Sequence, residues 1–423
     1  MEQLTYWYGN FYEALSTNPL FALSVIMLGG YLLGTLAEKI RLPEITGFII
    51  AGLLAGPYAA ELIPAEIKGD LQLLTEIALA IIAFTVGSNL QRSTLSRVAR
   101  PVVFMAFGHL LVAFCFVTLG LSLAGLPLSI AVLMGVLAGG SSPGTVVAIV
   151  QHERAYGTFV EQLYGVVAVA TACTITLFGL VFSFTPLILG VDAGGDQQVF
   201  STLLGALSDT AASVGLGLFC GTALHFSTRS VRSLSQTIIL TFAFLLFGTS
   251  IALVWGLSTL LLNMTMGVVY INLSKRPGKV LDSIRFWSPP LYAVFFVLAG
   301  AKLDPSILAN TTILLFGLTY VVTRIAGSYI GTSLGAKLGG AEPATARYLP
   351  LCLVPQAGVA LGLVLVLEDA PILDLVSPTM AANLTQTITI MLLAILLKEI
   401  LGPPISAAAV RRGALTARGN DRS

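Results

Sequence analysis

The sequence predicts an all-α polytopic membrane protein of about thirteen transmembrane helices, arranged as inverted repeats around two broken, crossing helices. Three observations carry that expectation. The 423 residues are 56% hydrophobic and only 10% charged, against about 25% charged in ordinary soluble domains. The apolar residues come in runs of roughly 18–25, the length that spans a bilayer as a helix. The basic residues gather in every second loop, as the positive-inside rule requires of a correctly counted bundle.

The apolar runs place spans near 18–38, 43–63, 71–90, 101–124, 127–150, 159–184, 201–226, 235–253, 255–273, 286–302, 309–335, 346–367 and 380–400. Of the 22 basic residues, all but Lys68, Lys302 and Arg324 follow an odd-numbered span or end the last one, Lys398 included. The basic side is therefore expected to be cytoplasmic, with the N-terminus outside and the C-terminus inside. The expected location is an integral membrane, a bacterial inner membrane, with the lipid bilayer as partner. Residues 1–403 form the transmembrane domain, and 404–423 read as a short basic cytoplasmic tail. A net charge of +1 gives no reason to expect nucleic acid. No cleavable signal is apparent, because the first 17 residues hold no Lys or Arg. Cys115, Cys173, Cys220 and Cys352 sit in apolar runs without metal-like spacing, so neither a metal nor a cofactor is expected. No nucleophile–base constellation suggests an enzyme.

Two spans contain breaks. Span 5 carries Ser141-Ser142-Pro143-Gly144, in which Ser142 can cap a helix and Pro143 suits its first position. Span 12 carries "LVPQAGVALG", with Pro355, Gln356 and Gly358 in its middle. Backbone without partners is tolerated at membrane depth only where protein or a water-filled cavity surrounds it. Paired breaks in oppositely running spans point to a midplane transport site. The residues expected to line it are Ser141, Ser142, Pro143, Thr145, Thr171, Thr174, Arg324, Gln356 and Gly358.

Several motifs, in order, resemble the cation–proton antiporter superfamily over roughly residues 20–400. "RLPEITGFIIAGLLAGP" is similar to the second span of its second branch, which includes Kef-type potassium efflux proteins and bacterial sodium–proton exchangers. "TEIALAIIAFTVGSNL" is similar to the following span, "FFVLAGAKLD" to a later segment, and "SSPGTVVAIVQHERAYG" to the first crossover. The resemblance implies a dimerisation panel and a mobile core, the core with spans near 101–184 and 286–367. It further implies elevator-like alternating access, a homodimer, and exchange of a monovalent cation for protons.

The chain departs from that pattern where the chemistry lies. The family's ion-binding Asp falls here near Thr171 or Ala172, in "YGVVAVATACTITLF". The second break reads Gln356-Ala357-Gly358 where related exchangers often have Arg-Gly-Glu. Arg324 falls where the family often has the Lys or Arg that pairs with the missing acid. A central membrane Arg costs at least about 3 kcal/mol on insertion scales, so it needs carbonyls freed by the breaks or a substrate. With no acid beside it, the crossing is expected to repel cations and to suit a small anion or organic acid. Three readings follow: a cation–proton antiporter lacking the usual aspartate, an anion carrier using Arg324 as counter-charge, and a non-transporting sensor or assembly subunit. Beyond the crossing, His109 in span 4 reads as a helix–helix hydrogen-bond former, and Glu153 with Arg154 as a solvated pair.

Overall fold

A computed structural model describes residues 18–40, 42–62, 68–183, 196–231, 233–274, 278–302, 310–356, 358–368 and 378–416. The expected extracellular N-terminus lies outside these residues, as do Arg41, Arg232, Lys275, Arg276, Arg418 and Arg422 of the basic loops.

The described residues form fifteen α-helices. They are α1 (Pro19–Lys39), α2 (Glu44–Ala55), α3 (Lys68–Ser88), α4 (Arg92–Leu123), α5 (Leu128–Leu137), α6 (Pro143–His152), α7 (Thr158–Ser183) and α8 (Asp196–Arg229). There follow α9 (Leu234–Val254), α10 (Thr259–Leu273), α11 (Gly278–Ala301), α12 (Thr311–Gly339), α13 (Pro343–Tyr348), α14 (Gly358–Glu368) and α15 (Pro378–Gly413). A 3₁₀ turn, Leu349–Leu353, extends α13. Among the described residues, nine helices are long and apolar enough to cross a membrane, or ten if Pro343–Leu353 and Gly358–Leu367 make one broken span. The shorter apolar helices are α2, α5 and α10.

Local chemistry sets the ends. Asn18 caps α1 by accepting from Leu20 N at 2.9 Å, and Pro19 occupies its first turn, where no intrahelical donor is needed. Ser258 caps α10 in the same way, accepting from Leu261 N at 3.2 Å.

The chain forms two compact units. The first takes the residues up to Ala78 together with Arg285–Asn310. Its helices meet backbone to backbone: a Cβ on Gly52 would run into the Val297 carbonyl, and one on Gly300 into that of Ile49. This close packing on α2 joins most of α11 to the first unit.

The second unit takes Leu79–Ile284 and everything from Thr311 onward. Its spine is the antiparallel pair α4 and α12. Gly327, Gly331, Gly335 and Gly339, spaced by four, lie against Ala113, Gly108, Phe104 and Pro101. Small residues at that spacing let two membrane helices approach through their backbones. A Cβ at Gly331 would collide with the Gly108 carbonyl. Gly331→Val is therefore expected to destabilise the unit by about 1–3 kcal/mol, the usual range for overpacking. Thermal unfolding in detergent reads this, and an unchanged midpoint would contradict the packing.

The C-terminal expectation needs correction. α15 does not end near 400 but runs to Gly413, and Leu415–Thr416 pairs antiparallel with Ala155–Tyr156. Ala409 and Val410 are buried among Phe159, Val160 and Leu163, so residues 404–413 are anchored by apolar packing and are not free tail. Glu153 is likewise not part of a solvated pair with Arg154. It is buried and faces Arg411, whose Nε lies 3.7 Å from its Oε2, while Arg154 is exposed in a left-handed turn with φ 49°.

Candidate functional site at the crossed breaks

The first break follows from its residues. Gly139 and Gly140 weaken the end of α5, and Pro143 cannot supply the N–H that a continuous helix would need there. The chain leaves the helix after Leu137 and restarts at Pro143. Gly139 is required by contact: a Cβ there would lie 2.6 Å from Thr174 Oγ1 and would also strike Leu110. The second break follows the 3₁₀ turn. That turn ends at Leu353, residues 354–356 belong to no regular element although Val354 keeps a helical φ of −62° and ψ of −45°, and helix resumes at Gly358. Gly140 would bring a Cβ within 3.5 Å of Ala360, so the two breaks touch.

Carbonyl oxygens at a helix end have no intrahelical donor and carry the negative end of the helix dipole. Here side chains donate to four successive carbonyls at the end of α5, the first of which also accepts from Gly140 N at 3.2 Å. Gln356 Nε2 donates to Leu137 O (2.8 Å), Arg324 Nε to Ala138 O (3.0 Å), His109 Nε2 to Gly139 O (3.1 Å) and Arg324 Nη2 to Gly140 O (2.7 Å). Arg324 also reaches the second break, donating to Leu353 O (3.3 Å) and Val354 O (3.1 Å). The fully buried guanidinium thus spends four hydrogen bonds on main-chain carbonyls, out of five donors. Arg324 is the clasp that holds both breaks open. His109 joins α4 to the first break, a bond between helices as its position suggested.

The crossing is not without an acid. α15 passes beside the second break, with Gly402 packed against Pro355. It presents Lys398 and Glu399, both fully buried. Lys398 Nζ donates to Gln356 Oε1 and stands 4.4 Å from the centre of the Tyr320 ring, a cation–π geometry. Tyr320 OH also donates to Gln356 Oε1, at 3.4 Å. Glu399 Oε2 accepts from Thr145 Oγ1 at 3.2 Å. Thr145 has a single hydroxyl proton, so its 2.8 Å contact with Ser142 must be a bond donated by Ser142. The order is Ser142 to Thr145 to Glu399. Lys398 and Arg324 both act electrostatically on this carboxyl. The expectation of a guanidinium with no acidic neighbour is overturned. Its ground was the absence of an acid near Thr171, and the acid arrives from another helix.

The expected residues divide accordingly. Ser142, Thr145, Arg324 and Gln356 meet in one hydrogen-bonded constellation, and Pro143 sets the helix start beneath it. Thr174 lies against Gly139, but its hydroxyl donates back to Ala170 O at 2.9 Å. Ser141 Oγ, Thr171 Oγ1 and Glu399 Oε1 are buried oxygens that make no hydrogen bond with any described residue. Gly358 is half-buried and opens α14. Lys398 and Glu399 were missed because a charged pair after an apolar run resembles a helix end at the interface. The available signal was the continuation "ILGPPISAAAV", apolar for eleven residues beyond them.

Comparison with known proteins agrees with this architecture. The chain is similar to the sodium proton antiporter MjNhaP1 from Methanocaldococcus jannaschii in its structure at pH 8, with TM-score 0.72 and 19% identity over 93% of this chain and 98% of that one. An electron-microscopy structure of the same antiporter gives TM-score 0.71 and 17% identity over 92% of this chain and 96% of that one. At such identities the likeness is one of fold. None of the curated proteins matches the chain. Residues 23–407 match the family described as sodium/hydrogen exchanger, transmembrane, and the chain is an integral membrane protein that belongs to that family.

Proposed function

We propose that this chain exchanges a monovalent cation for protons across the membrane, with Glu399 as the carboxylate for which the two compete. One observation carries the proposal: a carboxyl fully buried at the meeting point of the two breaks, with one oxygen held by Thr145 and the other making no hydrogen bond with any described residue. An ionisable group inside a membrane bundle is costly and marks a transport pathway or a proton relay. The oxygens of Glu399, Ser141 and Thr171 are hard ligands of the kind alkali cations take, whereas hydroxyls alone do not titrate near neutral pH. A proton on Glu399, or a cation bound to it, gives the same net charge. Both loaded forms of the site are therefore equally suited to crossing the bilayer, and the bare carboxylate is not.

The family and the fold support sodium as the cation, elevator-like alternating access, and a homodimer. The order of motifs over residues 20–400 supports placement in the Kef-like second branch, and the loop charges support a cytoplasmic C-terminus. The anion-carrier reading loses its footing, because Arg324 donates four hydrogen bonds to carbonyls and does not stand free as a counter-charge.

The test is flux into proteoliposomes containing a pH dye, with inward gradients of sodium, potassium, lithium or a panel of anions. A cation gradient is expected to drive protons outward, and anion gradients to drive none. Proton or solute movement that answers only to anions would restore the anion carrier, and no movement under any gradient would favour a sensor.

A further inference from the structure

Among the buried polar atoms beyond the crossing that make no hydrogen bond with any described residue are His109 Nδ1 on α4, and Ser328 Oγ and Thr332 Oγ1 on α12. They lie at one level. α4 and α12 run antiparallel and touch at Gly108 and Gly331, so His109 stands abreast of the turn between Ser328 and Thr332. They also lie on one side of that seam. His109, Ser328 and Thr332 are at most 1% exposed, whereas Phe104, Phe107, Ile330 and Leu334 form the outer side and are exposed.

The chemistry of the three atoms is complementary to a water. Gly139 O can only accept, so His109 Nε2 carries the proton in the 3.1 Å bond, and the neutral ring offers Nδ1 as a lone pair. Helical Ser and Thr ordinarily donate to the carbonyl four residues back, as Thr323 does to Thr319 O at 2.6 Å. Ser328 and Thr332 do not, and each keeps a donor and acceptor sites unused. A buried water typically makes about three hydrogen bonds to groups of this kind. Arg324, Ser328 and Thr332 follow one another at four-residue intervals on a single helix face. That line runs about 12 Å from the crossing toward the Lys337 end of α12. At the crossing Arg324 bonds Gly140 O, next to Ser141, whose hydroxyl makes no hydrogen bond with any described residue.

We propose that His109, Ser328 and Thr332 enclose an internal water that passes protons between the Lys337 end of α12 and the crossing, by a route inside the second unit. This rests on the proposed exchange of a cation for protons. His109 is a positioning residue: its Nδ1 lone pair accepts from the water and fixes its orientation, and the ring itself gains and loses nothing. A proton arriving on the water's lone pair from the Thr332 side is matched by another leaving toward the crossing, and the water then turns about its bond to His109 Nδ1, which restores the starting arrangement.

The test combines a high-resolution map with transport by Ser328→Ala/Thr332→Val and, separately, His109→Gln. The expected map of the wild type shows an ordered water within hydrogen-bond distance of the three atoms, lost in the double variant. In transport, the double variant is expected to turn over at least about tenfold more slowly at saturating sodium, an effect of proton-transfer size. Its sodium KM should stay near the wild-type value, and its solvent deuterium isotope effect should exceed the wild type's. His109→Gln keeps a donor for Gly139 O and is expected to show the same split, which guards against a folding defect in the double variant. A wild-type map without the water, wild-type turnover in both variants, or a raised KM at unchanged turnover would overturn the proposal. A wild type that exchanges no cation for protons would defeat the function proposed above, whereas an exchanging wild type matched by its variants would defeat the relay alone.

Discussion

Glu399→Gln is expected to stop sodium-driven proton movement. Glutamine has the shape of glutamate, and its carbonyl can still accept the Thr145 hydroxyl that now bonds Glu399 Oε2 at 3.2 Å. It cannot take up a proton or supply negative charge. The two competing occupants therefore both lose their site, and exchange should fall by about a hundredfold or more, the scale on which an essential acid–base group acts. Stability should fall, because Lys398 and Arg324 stay buried without the carboxylate that offsets them, and removing one partner of a buried charge pair costs about 3–5 kcal/mol. The measurement is dye-monitored flux in proteoliposomes beside thermal unfolding in detergent. Wild-type flux in Glu399→Gln would contradict the role assigned to it.

The second large effect belongs to Arg324. Its guanidinium closes Ala138 O, Gly140 O, Leu353 O and Val354 O. Each buried acceptor left without a donor costs about 1–3 kcal/mol, and four share this one side chain. Arg324→Ala is thus expected to fall among the rare substitutions that cost more than about 4 kcal/mol. The variant should unfold well below the wild type in detergent and transport nothing. Arg324→Lys keeps the charge but concentrates three donors on one nitrogen, which cannot span both breaks as a planar fork does. It should recover part of the stability and little of the flux. Arg324→Ala with wild-type stability would show that the carbonyls have other donors and that the clasp is misassigned.

Much of this was legible in the chain because the signals are local. Apolar length gives the spans, and Ser-Ser-Pro-Gly and Val-Pro-Gln interrupt them for reasons of main-chain geometry. The need of Arg324 for partners follows from its depth alone, and bonding to freed carbonyls was one of its two expected fates. What stayed hidden depends on contacts across long separations. Thr145 and Glu399 are 254 positions apart, and nothing near either residue announces the other. Lys398 and Glu399 resembled the interfacial end of a span because charge beside a run of leucines ordinarily marks the membrane surface. The helix goes on to Gly413, with Ala409 and Val410 packed in the core. Glu153 misled in the same way: beside Arg154 it resembles a surface pair, while its facing partner is Arg411, brought by the end of α15.

The most direct measurement of the central claim is proton release when sodium is added to the purified protein in weak buffer. If cation and proton compete for Glu399, sodium binding to the wild type releases protons and binding to Glu399→Gln releases none. Sodium binding without proton release, or equal release from both proteins, would contradict it.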